Sequence, residues 1–207
     1  MKFICVGRNY RNPDSENKNE DIQSPLSGPI FFMKPETAIT RCNRPFFIPE
    51  FSQDIYYETE LLVKINRLGK HIQEKHAHLY YEEIGLGIDF TAHDVLQGCI
   101  ERGEPWEIAK AFDGSAVVGD FVPINQFDDL QNLNFHLTIN DQLVQQGNTG
   151  DMIHTIDQII AYVSKSVMLK MGDIIFTGTP AGVGPVHIDD HLQGYLEGQK
   201  MFDFNVK

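Results

Sequence analysis

Apolar and polar positions alternate with a period of two across residues 55–65. Thr59, Leu61, Val63 and Ile65 share one side, and Tyr56, Glu58, Glu60 and Leu62 share the other. This is the pattern of a β-strand with one face towards a core. Similar runs predict strands over residues 2–6, 30–34 and 133–139, and a short one over 173–176. The alternation of Phe202, Phe204 and Val206 predicts a last strand. Asn140-Asp141 is turn chemistry, so residues 142–146 are expected to pair back as a hairpin. Helical spacing is clearest after Thr155-x-x-Gln158, a capping box. There Ile156, Ile159, Ile160, Val163 and Val167 form a core-facing stripe. Residues 94–102 also read as a helix. Residues 72–83 read as a more polar one, with Ile72, His76, Leu79 and Tyr80 near one stripe.

Between the first two strands, residues 11–28 are almost wholly polar, with Ile22 and Leu26 the only aliphatic side chains. Such a segment is either a surface loop or a mobile lid. The chain has 207 residues, 42% of them hydrophobic and 22% charged, which suits a single domain with a sizeable core. A formal net charge of −12 argues against nucleic acid as a partner, because phosphate binding needs clustered Lys and Arg. The same charge suits a cation site. Cys5, Cys42 and Cys99 are odd in number and widely spaced, as expected for reduced thiols in a cytoplasmic protein. No apolar run approaches the roughly 18 residues of a membrane span, and no membrane association is expected.

Candidate chemistry begins with Glu58 and Glu60. Side chains alternate along a strand, so both project from one face, about 7 Å apart along it. No basic residue lies between them. A bound cation, a shared proton or open solvent would each relieve their repulsion. Asp89 sits in the apolar run 84–91, where a carboxylate needs a cap, a cation or an Arg. Lys110 lies among Ile108, Ala109, Ala111 and Phe112. It is either partly desolvated and poised for acid–base work or a snorkelling surface lysine. His76 and His78, two apart on a helix, would not face each other and read as a solvated face. Residues 177–185 (TGTPAGVGP) offer hydroxyls and backbone N–H groups, a cradle for a carboxylate. No Gly-Lys-Ser/Thr follows, so this is not a P-loop. Serine-hydrolase elbows, zinc motifs and dinucleotide fingerprints are absent from the sequence.

Taken in order, several segments resemble the fumarylacetoacetate hydrolase family, especially its small acylpyruvate hydrolases and oxaloacetate decarboxylases. They are Val6-Gly7-Arg8-Asn9-Tyr10, Phe32-Met33-Lys34-Pro35, Glu58-Thr59-Glu60-Leu61, Asp89-Phe90-Thr91-Ala92, Pro105-Trp106 with Ala109-Lys110, and Gly172-Asp173 with Thr177-Gly178-Thr179-Pro180. The resemblance implies an α+β fold, a mixed β-roll with a few peripheral helices, and a homodimer. It implies Glu58, Glu60 and Asp89 as ligands of Mg²⁺ or Mn²⁺, Lys110 as the active-site lysine and Thr179 as a substrate contact. Three carboxylates are the hard oxygen donors that such cations prefer.

The sequence departs from the family pattern at the lid and beside Asp89. Where the family has a His and, three residues later, a Glu after Arg-Asn-Tyr, this chain has Pro13 and Glu16. The family's Arg and Gln after Asp-x-Thr are His93 and Leu96 here. Glu16 is therefore either the remaining base or a lid surface residue. His93 is either a carboxylate handle or an ordinary helix-start side chain. The expected activity is metal-dependent chemistry on small α-keto diacids. Hydrolysis, which needs the lid base, is expected to be weaker than decarboxylation or keto–enol isomerisation. The alternatives are a protein that binds metal and keto acid with weak or no catalysis, and a purely structural domain.

Overall fold

The computed structural model describes residues 1–11, 28–41 and 44–207. Pro13, Glu16 and most of the polar 11–28 segment lie outside the described residues, as does Cys42. Strands β1 (Phe3–Gly7) and β2 (Ile30–Lys34) pair antiparallel. They are followed by β3 (Ile39–Arg41), β4 (Ile55–Tyr57), β5 (Thr59–Ile65), β6 (Tyr81–Asp89) and β7 (Thr91–Ala92). Helices α1 (His93–Arg102) and α2 (Glu107–Lys110) lead into β8 (Ala116–Pro123). The hairpin β9 (Asn134–Ile139) and β10 (Gln142–Asn148) precedes α3 (Ile156–Ser166). The chain closes with β11 (Ile174–Phe176), β12 (Gly184–Pro185), β13 (His191–Leu196) and β14 (Gln199–Asn205).

These strands form three sheets. The largest has the order β2-β1-β11-β5-β6-β8-β3, the second β10-β9-β13-β14, and the third β12-β4-β7. Parallel pairs (β1 with β11, β3 with β8) sit among antiparallel ones, so the large sheet is mixed. One apolar cluster runs from Ile4 through Leu61, Ile84, Phe135 and Ile160 to Val206, drawing on both larger sheets and α3. The α+β expectation is met. So are the hairpin and the capping box, in which Thr155 and Gln158 each bond the other's backbone N–H.

Two expected elements differ. Residues 55–65 are two strands in different sheets, parted at Glu58. There the Glu58 carbonyl accepts the Asp89 N–H at 2.9 Å, and beyond it the Thr59–Ile65 strand pairs with β6. The expected helix over 72–83 is instead a 3₁₀ stretch, Glu74–Tyr80. Tyr81 and Glu83 pair with Ile65 and Lys64, so sheet pairing overrides the local helical spacing.

Candidate active site

Glu60 is the second residue of β5 and is buried there, because the loop after β11 runs along that edge of the strand. Its Oε2 accepts the Gly178 N–H at 2.6 Å. Asp89 ends β6 and is equally buried. Glu58, in the gap between β4 and β5, points the same way. One oxygen from each of the three carboxylates lies within 4.8 Å of the others. The strand break thus gathers onto one spot the pair that regular alternation would only set side by side.

Two ammonium groups brace this cluster. Lys110, at the end of α2, donates to Glu58 Oε1 at 2.7 Å and to Thr91 Oγ1 at 2.5 Å, and its Nζ is 3.5 Å from Asp89 Oδ2. Thr91 in turn donates to Glu58 Oε1 at 2.5 Å. Lys110 is 6% exposed, which removes the snorkelling reading. Burial pulls its pKa down, but Asp89 and Glu58 outweigh that and raise it, so the side chain is held as an ammonium. The second ammonium is Lys34, which sequence reasoning did not place in the site. It is fully buried, donates to the Phe90 and Ser115 carbonyls, and lies 2.6 Å from Asp89 Oδ1.

The residues fit a divalent cation. Both Asp89 oxygens are buried and accept no hydrogen bond among the described residues. The short Lys34 contact is an ion pair that lies off hydrogen-bond geometry. Buried carboxylate oxygens without partners are costly unless a charge reaches them. Glu60 accepts a hydrogen bond from Gly178 but carries an electrostatic cost of its own. Burial first, and then the charges of Asp89 and Glu58, push its pKa well above the usual carboxylate value, with partial relief from the Gly178 N–H. Among the described residues, three carboxylates against two ammoniums leave one negative charge, and the donors are all hard oxygens.

The other expected residues lie differently. Thr179 is beside the glutamates, but its hydroxyl donates to the Thr59 carbonyl at 2.9 Å and accepts from Gln145 at 2.8 Å. The Gly178 N–H is committed to Glu60, so the loop offers less free backbone than its composition suggests. His93 stacks on Tyr56 with centroids 4.4 Å apart, and its Nδ1 is 3.3 Å from Asp54 Oδ2. Glu16 is outside the described residues. Gln145, expected on a plain hairpin strand, is 2% exposed and belongs to the site's surroundings. A bulge between Leu143 and Gln145 turns it inward, and no local pattern announces that.

Comparison with known proteins follows this geometry closely. The chain matches the fumarylacetoacetate (FAA) hydrolase C-terminal family over residues 2–203. It is 38% identical over 205 residues to the mitochondrial oxaloacetate tautomerase FAHD1 of Mus musculus, covering 99% of this chain and 91% of that one. It is 38% identical over 201 residues to the oxaloacetate tautomerase YcgM of Escherichia coli (strain K12), covering 97% and 90%. Among solved structures, fumarylpyruvate hydrolase from Pseudomonas aeruginosa in complex with Mn²⁺ and pyruvate superimposes with a TM-score of 0.87 at 29% identity. That match covers 100% of this chain and 89% of the other. With motifs, fold and near-complete coverage in agreement, the chain belongs to the fumarylacetoacetate hydrolase family.

Proposed function

We propose that this protein is a divalent-metal-dependent enzyme acting on small α-keto diacids, and that it interconverts keto and enol forms of an oxaloacetate-like substrate in preference to hydrolysing acylpyruvates. The observation that carries this reading is the convergence of Glu58, Glu60 and Asp89, with neither Asp89 oxygen accepting a hydrogen bond among the described residues and Lys110 docked against Glu58. These three carboxylates would hold Mg²⁺ or Mn²⁺, which when bound supplies Lewis-acid polarisation of a keto oxygen. Lys110 keeps a positive charge beside the cluster, where it stabilises negative charge developing on the substrate and can hold or return a proton at Nζ. Thr91 fixes that ammonium by accepting from it while donating to Glu58. Thr179 orders the strand edge next to the glutamates by donating to the Thr59 carbonyl.

Hydrolysis needs a water-activating base, and Pro13 has no titratable group to supply one. Losing such a base typically removes about 10²–10⁴-fold in rate. Enolisation requires only that a proton move between carbon and oxygen. The likeness to two oxaloacetate tautomerases supports the same choice. The test is direct. Addition of the protein with Mn²⁺ should accelerate the decay of oxaloacetate's enol absorbance, with acetylpyruvate hydrolysed about 10²-fold or more slowly. Efficient acetylpyruvate turnover would overturn the preference.

A second reading, metal and keto-acid binding with weak or no catalysis, draws on His93, which is engaged with Asp54 and Tyr56, and on the apolar Leu96. It predicts that oxalate with Mg²⁺ raises the melting temperature while no substrate is consumed.

A further inference from the structure

Thr59 separates the two glutamates at a point where β5 runs out of neighbours on one edge. β11 pairs with β5 only from Leu62 to Lys64. Beyond it the Thr177 N–H reaches the Leu61 carbonyl at 3.1 Å, and the Gly178 N–H is spent on the Glu60 side chain. The backbone of Thr59 would be left unpaired on that side, inside the protein, which is costly. Two side chains replace the missing strand. Gln145 Oε1 accepts the Thr59 N–H at 3.0 Å, and Thr179 Oγ1 donates to the Thr59 carbonyl at 2.9 Å. Gln145 Nε2 closes the ring by donating to Thr179 Oγ1 at 2.8 Å, and also reaches the Pro180 carbonyl at 3.0 Å. Gln145 therefore offers an acceptor and a donor on one planar amide, as a peptide group would. The loop lies directly on it: a Cβ at Gly182, whose φ is +101°, would sit 3.3 Å from Gln145 Cγ.

We propose that Gln145 is a positioning residue that sets the Glu58–Glu60 geometry for the cation and, through its second nitrogen bond, holds the Thr179–Pro180 loop in place for the keto acid. This rests on the metal-dependent reading above. The amide is the physical link between the two halves of the site, 86 positions from the strand that it completes. Partners behind metal ligands act in this way elsewhere, and their loss typically weakens metal binding about 10–100-fold.

The experiment compares three variants with the wild type by Mn²⁺ titration (free-ion electron paramagnetic resonance), by oxalate binding to the Mn²⁺-loaded protein, and by thermal melting. Gln145→Met keeps the volume and removes every hydrogen bond, so Mn²⁺ affinity should fall about 10–100-fold. Gln145→Glu keeps the acceptor for Thr59 but has no donor for Thr179 and Pro180. It should retain Mn²⁺ and lose oxalate affinity about tenfold. Thr149→Val is the structural control. It removes two buried bonds, to the Leu133 N–H and the Leu130 carbonyl, away from the carboxylates. It should lower the melting temperature and leave Mn²⁺ affinity unchanged.

The proposal is overturned if Gln145→Met binds Mn²⁺ within about twofold of wild type, if Thr149→Val weakens binding as much, or if Gln145→Glu binds oxalate normally. Should Gln145→Met fail to fold, the oxalate result with Gln145→Glu decides. A wild type that binds no Mn²⁺ would instead remove the metal-dependent reading itself, and this proposal with it.

Discussion

The ammonium of Lys34 is shut off from the protein surface. It is fully buried between the Phe90 and Ser115 carbonyls and Asp89, so among the described residues its charge is balanced by groups that the fold brings to it. Burying such a charge is tolerable while the partners stay in place. Removing one partner of a buried pair typically costs roughly 3–5 kcal/mol, because the other is left uncompensated. Lys34→Met is therefore expected to lose about that much in urea unfolding of the metal-free protein. Mn²⁺ should recover more stability in this variant than in the wild type, since a cation at the carboxylates supplies the missing counter-charge. A loss of under about 1 kcal/mol, the scale of an exposed ion pair, would show that the contact contributes little. In the sequence, Lys34 ends an apolar run before Pro35 and reads as a strand terminus. Its partner is 55 positions away, a distance over which local pattern carries no information.

At the scale of elements, β10 shows what the sequence could and could not disclose. The hairpin was legible from alternation and from Asn140-Asp141, because those signals are local. So was α3 from its capping box. The bulge that turns Gln145 inward was not legible, nor was the parting of β4 from β5 at Glu58. Both depend on hydrogen bonds to segments remote in sequence, Thr59 with Gln145 and Glu58 with Asp89. The resemblance to a family placed Glu58, Glu60, Asp89 and Lys110 together, and spacing alone would have left each with an ordinary reading. Two residues beyond Gln145, Gly147 lies where a Cβ would be 2.7 Å from Pro180 Cγ and 2.8 Å from Phe135 Cζ. The absence of a side chain lets the loop seat on the strand. Gly147→Ala should force the loop or Phe135 to shift, at the roughly 1–3 kcal/mol typical of overpacking, read as a lower urea midpoint. Oxalate affinity should fall with it. A variant with unchanged midpoint and oxalate binding would mean that the loop has slack that the close contacts do not suggest.

All three sheets meet at the carboxylates. Glu60 comes from the large sheet, Thr91 from the small one, and Gln145 from the four-stranded one. Cation binding should therefore register in the stability of the whole fold, and its pH dependence follows from Glu60. Burial and the neighbouring Asp89 and Glu58 raise that carboxyl well above its ordinary value of 4.5. A carboxyl with a raised folded-state pKa holds its proton in the native protein after the unfolded chain has released it. Below the ordinary value both states are protonated and there is no penalty. As pH climbs from there towards the folded-state value, the unfolded state gains the advantage and the metal-free protein loses stability. A cation reverses this, because coordination needs the ionised carboxylate and displaces the proton. The Mg²⁺- or Mn²⁺-induced rise in melting temperature should accordingly grow between about pH 5 and 8, not stay flat. At a cation concentration one hundred times its dissociation constant, the stabilisation is expected to be about 2.7 kcal/mol. Glu60→Gln, which cannot ionise, should flatten the metal-free pH profile and abolish most of the cation-induced shift. If the wild-type shift does not change with pH while Mn²⁺ binds, Glu60 already enters the folded state ionised, and burial with its acidic neighbours does not hold a proton on it.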